Sequence, residues 1–144
     1  MRVIFAAILF VSLLIQPVFT VDTYAYLDNT SQYIHQLITL INHYRESNHL
    51  KPLSLDGKLT ILAQNHSADM QRRGALSHDR CEARFKHSGH NSCVENVAWN
   101  YRSPRELFAA WQNSRGHDKN MLASDIKRAG ISRVGTYVTF FACN

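Results

Sequence analysis

The sequence predicts an α+β fold, with helices packed around a small, mainly antiparallel sheet in three layers. Three observations carry this expectation. Two stretches in the first half repeat apolar residues at helical spacing. Cys93–Trp99 alternates residue by residue, as a strand does. Two further alternating runs, Ala129–Val134 and Tyr137–Cys143, are joined by a turn at Gly135-Thr136. A chain of 144 residues is long enough for one domain with a real core and too short for two.

Residues 1–20 stand apart from this pattern. Arg2 supplies a positive start, Val3–Ile15 is apolar apart from Ser12, and Pro17 breaks the run. This reads as a secretory signal peptide cleaved near Thr20. The alternative is an uncleaved anchor, although the run is shorter than the roughly 20 apolar residues of a membrane helix. No second such segment follows, so the mature protein is expected to have no stable membrane span and to be a secreted or periplasmic monomer. The net charge of +5 is spread over scattered cations. That favours a solvated basic surface and gives no nucleic-acid footprint.

Export places the cysteines in an oxidising compartment. There are three, Cys81, Cys93 and Cys143. One disulfide and one free thiol is the simplest pairing. Cys93 with Cys143 is the expected pair because each flanks a predicted strand, leaving Cys81 over. No base is placed to activate any of the three as a nucleophile.

Residues 21–29 lack clear periodicity and read as a tail or linker, with the domain proper over 30–144. Thr30 or Ser31 is a helix cap, and Ile34, Leu37, Ile38, Ile41 and Tyr44 form one stripe towards Asn48. Arg45 and Glu46 are assigned to its exposed end, and His43 and His49 to the surface. A second helix is expected from about Leu55 to Arg73, closed by Gly74. Its His66 falls on the apolar face, where a packed, hydrogen-bonded role outweighs metal ligation because no histidine lies at i+4. Asp79 starts a short helix through Phe85, with His78 in the turn before it. His87-x-x-His90 is a polar loop. Ser103-Pro104-Arg105-Glu106 is a helix start with a capping box, which gives Glu106 a structural task. Leu107, Phe108 and Trp111 form that helix's buried face. In Arg115–Leu122, Gly116 allows an unusual backbone just before His117, and Asn120 is suited to pinning a loop.

Glu95 is the most marked residue in the chain. It lies between Val94 and Val97 in a short apolar run. A buried carboxylate costs several kcal/mol unless it is paired. Glu95 therefore lines a cleft or has a cationic, histidine or metal partner. His78 and His117 are the histidines expected to join it.

Leu40-Ile41-Asn42-x-x-Arg45, Leu53, Leu59, Ala63-x-x-His66-Ser67-x-x-Met70, Ser77-His78, Glu95-Asn96-Val97-Ala98, Trp111-x-x-Ser114-x-Gly116-His117-x-x-Asn120-x-Leu122 and Tyr137–Phe141 together resemble the CAP superfamily. That superfamily holds cysteine-rich secretory proteins, antigen 5 and pathogenesis-related proteins of group one. The likeness covers residues 33–143 and is strongest to the short bacterial form. It implies an α-β-α sandwich with a cleft of two histidines and two glutamates that can hold zinc or another divalent cation. Carried over, His78 and His117 are the metal ligands and Glu95 the first glutamate. Ser114 stands where the second glutamate commonly lies, and Val94 where glycine usually precedes Glu-Asn. The four-residue set is incomplete, since Glu106 lies too early on its helix to replace the missing member.

Three functional readings follow. In the first, the domain is a secreted binding module with a metal in its cleft, and the resemblance implies lipid, sterol or protein partners as a class. In the second it is a metal-dependent hydrolase with Glu95 as general base. A serine triad of Ser114, His117 and Asp118 is weaker, because neighbouring residues rarely adopt that geometry. In the third, His78, Glu95 and His117 are a polar cluster that only ties loops to the sheet.

Overall fold

The computed structural model describes the backbone of residues 21–144 and the side chains of 29–144. The expected signal peptide lies outside the described residues. Among the described residues, five helices and four strands follow in the order α1 (Val21–Ser47), β1 (Ser54–Leu55), α2 (Gly57–Arg73), α3 (Cys81–Ser88), β2 (Cys93–Trp99), α4 (Pro104–Gln112), α5 (Arg115–Met121), β3 (Arg128–Val134) and β4 (Tyr137–Cys143). The strands make one sheet in the order β1-β3-β4-β2. β1 is parallel to β3, and the other two pairings are antiparallel. Among the described residues, no helix is long and apolar enough to cross a membrane.

The strict alternation of β4 builds the three layers. Val138, Phe140 and Ala142 face one way, into a core made with Leu37 and Ile41 of α1 and Leu107 and Trp111 of α4. Tyr137, Phe141 and Cys143 face the other way, towards Leu59, Ala63 and Met70 of α2. Burying side chains of this size contributes roughly 1.5–3 kcal/mol each. The backbone of α2 lies directly on Gly130 of β3, where an added methyl would overlap the Leu59 backbone. Glycine is there for close approach, which brings α2, and with it His66, hard against the sheet.

The termini of the elements follow their residues. Asp56 caps α2 through Leu59 N at 3.0 Å, and Gly74 ends it at φ 63. Ser103 and Glu106 form the expected capping box on α4. Gly135 takes φ 57 in the β3–β4 turn. Cys93 and Cys143 stand directly opposite in the β2–β4 register and are joined by the expected disulfide.

Several expectations are corrected. Within the described residues the first helix runs over Val21–Ser47, so Thr30 and Ser31 lie inside it and the backbone of 21–29 is helical. No glycine or proline interrupts that stretch. Leu55 belongs to β1, and α2 starts at Gly57. The short helix expected at Asp79–Phe85 runs from Cys81 to Ser88, so His87 is helical. Arg115–Met121 is a helix, and Gly116 takes no left-handed conformation there. Arg45 is buried, with 1% of its surface exposed. Its guanidinium donates to the carbonyls of Lys51, Met121, Ala123 and Ile126 at 2.8–3.4 Å. It thereby knits the end of α1 to the two segments that lead into the parallel strands β1 and β3.

Candidate functional site

β2 is an edge strand, and its alternation sends neighbouring residues to opposite faces of the sheet. Glu95 turns towards the α2–α3 layer, where its side chain is 2% exposed. Arg84 of α3 meets it with two bonds, Nε to Oε2 at 2.6 Å and Nη2 to Oε1 at 2.8 Å. This bidentate fork is the geometry that best holds a desolvated carboxylate. Arg84 is anchored in turn by Nη1 donating to Asp79 O at 2.7 Å. His78 donates from Nδ1 to Glu95 Oε1 at 2.9 Å, with half of its side chain exposed.

His66 completes this side. It is 3% exposed and donates from Nε2 to Ser77 O at 2.8 Å, which is the packed role its helix face predicts. That bond holds the loop that carries His78. Burial first, and the Arg84 charge second, push the His66 pKa down. Its 3.8 Å approach to Glu95 Oε1 is therefore a contact of a neutral ring and not an ion pair. Burial, reinforced by Glu95, pushes the half-buried Cys81 thiol up, so it stays protonated beside the carboxylate.

Asn96 turns to the other face and is fully buried. Its Nδ2 donates to His117 O at 3.0 Å. Asn120 Nδ2 donates to Asn96 Oδ1 at 2.8 Å and to Glu95 O at 3.0 Å. The two asparagines pin α5 to the edge strand and so fix His117. The His117 ring packs on Trp111, 6.2 Å between centroids. Burial first, and the His78 charge second, push its pKa down and keep it neutral at physiological pH. Leu76, Val97, Trp99, Tyr101, Trp111 and Ser114 join His117 around a cavity of about 280 Å³. The Trp111 indole N–H in its wall is buried without a hydrogen-bond partner among the described residues.

The three residues singled out in the sequence thus divide. His78 and Glu95 are bonded to each other. His117 makes no hydrogen bond or ion pair with either among the described residues; the His78 charge and the asparagine clamp are what link it to them. Sequence reasoning missed Arg84, which carries the Glu95 pair, and the clamp of Asn96 on His117. The demand of Glu95 for a cation was legible, but many arginines could have met it. Among the described residues, no group of three or more histidine, cysteine, aspartate or glutamate side chains is placed to hold a metal.

A family model described as CAP, the cysteine-rich secretory protein family, matches residues 38–144. The Bacillus subtilis uncharacterized protein YkwD is 30% identical over 113 residues, 74% of this chain and 44% of its own. The uncharacterized membrane protein YlbC of the same organism is 31% identical, over 72% of this chain and 32% of its own. The chain therefore spans less than half the length of these relatives. A Bacillus anthracis extracellular protein containing an SCP domain superposes with a TM-score of 0.75 at 24% identity, over 88% of this chain and 44% of that one. An outer surface protein of Borrelia burgdorferi gives 0.72 at 18% identity, over 78% of this chain and 92% of that one. The matched region holds every residue of the site from Glu95's arginine fork to the asparagine clamp, and the chain belongs to the CAP, or cysteine-rich secretory protein, family.

Proposed function

We propose that this CAP domain is a secreted or surface-held binding module that reads an amphipathic ligand, lipid or protein, at the edge of β2. His78 and His117 form the polar rim, and the cavity beside Trp111 takes the apolar part. One observation carries the reading: Glu95 is spent on Arg84 and His78, while the histidines and the cavity remain to face a partner. The extracellular and outer-surface character of the structural neighbours supports the location.

The donor set fits a divalent cation such as zinc only as a two-imidazole site. His78 has one ring nitrogen tied to a carboxylate, which orients a ligating imidazole and leaves Nε2 for the metal. His117 is kept neutral, as ligation requires. Glu95 stands behind His78 as its orienting group. With Ser114 in place of a second glutamate, a three-ligand catalytic centre is not matched. The bound cation would supply a charge that anchors an anionic head group.

The hydrolase reading, with Glu95 as general base, finds less support. Both carboxylate oxygens are already held by donors, so proton transfer would require breaking the Arg84 fork. Calorimetric titration of zinc at neutral pH tests the rim. Binding in the parent that is lost in both His78→Ala and His117→Ala is the expected result. An absence of heat, or binding unchanged in either variant, would sink the two-histidine site.

A further inference from the structure

We propose that the groove between α2 and α3 is a second site, one that takes a phosphate-bearing small molecule. It shares no lining residue with the cavity beside Trp111 and does not depend on the reading of that cavity. The groove encloses about 440 Å³, more than a bare phosphate fills, and Arg72, Arg80, Arg84, His66 and His87 contribute to its wall. Leu62, Ala68 and Ala83 give it an apolar share that suits an uncharged remainder.

The charge balance of the wall points to an anion. Asp69 is its one carboxylate, and Arg72 at 2.8 Å and Arg73 at 2.7 Å already hold it. Arg84 is nine-tenths buried and spends three of its five N–H groups on Glu95 and Asp79 O, which leaves two and fixes their plane. Arg80 has no ion pair or side-chain hydrogen bond among the described residues. Its backbone stands at φ 58, in the left-handed region, just before α3. A non-glycine residue there carries a local cost, and Arg80 is a long cation held at the groove with nothing to neutralise it. Guanidinium groups are the side chains best matched to tetrahedral oxyanions, through paired, charge-assisted hydrogen bonds.

The test is a titration of the full chain, recovered after export, with glycerol 3-phosphate and with inorganic phosphate. Amide chemical shifts are followed at constant ionic strength. Saturable shifts confined to α2 and α3 are expected. Arg80→Asn keeps a residue that tolerates the left-handed backbone and should weaken binding about tenfold, the loss of one charge-assisted bond. Arg128→Gln removes a cation outside the groove and should change affinity by less than about twofold, as screened charges do. Non-saturable shifts, or equal weakening in the two variants, would overturn the site. Tighter binding of glycerol 3-phosphate than of inorganic phosphate places the organic part on the apolar wall. The reverse order would overturn the assignment to a phosphate-bearing molecule.

Discussion

Arg45 and Arg84 are both buried arginines, and they do opposite kinds of work. Arg45 bonds only to main-chain carbonyls, and desolvation lowers its pKa without a carboxylate to offset the cost. Arg84 bonds to one carboxylate side chain, and the pair sits beside the two histidines His66 and His78. A cation facing carbonyls can only hold segments together. A cation facing an acid also decides what that acid is free to do. In this domain, Arg45 makes the frame and Arg84 makes Glu95 a fixed part of the site.

Substitution separates the two most sharply. Arg45→Met should cost about 3–5 kcal/mol in urea unfolding, because several carbonyls lose their donor at once and water cannot replace it. No second substitution should restore the loss, since the acceptors are backbone. Arg84→Met should cost about 3 kcal/mol by leaving Glu95 buried and nearly unpaired. The double variant Arg84→Met with Glu95→Leu should recover most of it, because removing both members of a buried pair is often close to neutral. Failure of that recovery, measured by the same unfolding, would place Arg84 with Arg45 as a scaffold residue.

The smallest expected effect concerns pH. Burial lowers His66 and His117 below the usual 6.5, with Arg84 adding to the first and His78 to the second. Well above pH 6.5 both histidines are neutral in folded and unfolded chains alike. As pH falls below that value the unfolded chain takes up protons first, so stability declines with acidification until the folded pKa values are passed. His66→Gln should flatten part of this slope in unfolding curves between pH 7 and 5, by well under the cost of either arginine change. An unaltered slope would show that His66 titrates as in the unfolded chain.

Strands β2, β3 and β4, the Gly74 and Ser103–Glu106 caps and the disulfide were legible because each rests on local alternation, a cap residue or a flanking position. The packed role of His66 was legible from its helix face. Arg45 was misplaced because its charge outweighed its position. It follows Ile41 by four and Ile38 by seven, which puts it on the buried stripe. β1 is only two residues long and carries no pattern to read. α5 looked like a loop because Met121 is its only buried residue, so no stripe marks it. Arg84 could not be read at all. Its partner lies on another element, and only the packing of α3 against the sheet selects it from the other arginines.

The strand order has a consequence for how the site comes into being. β4 is the last strand in sequence and lies between β3 and β2, and Cys143 closes on Cys93 from 50 residues away. A chain emerging from its N-terminus therefore presents Cys93–Trp99 long before a neighbour exists to pair with it. Until β4 arrives, Glu95 has no sheet beneath it, and Asn96 no rigid strand from which to clasp α5. Neither the Glu95 cluster nor the Asn96 clamp can be assembled piecemeal during vectorial emergence. The site is acquired in one step, when β4 threads between β3 and β2.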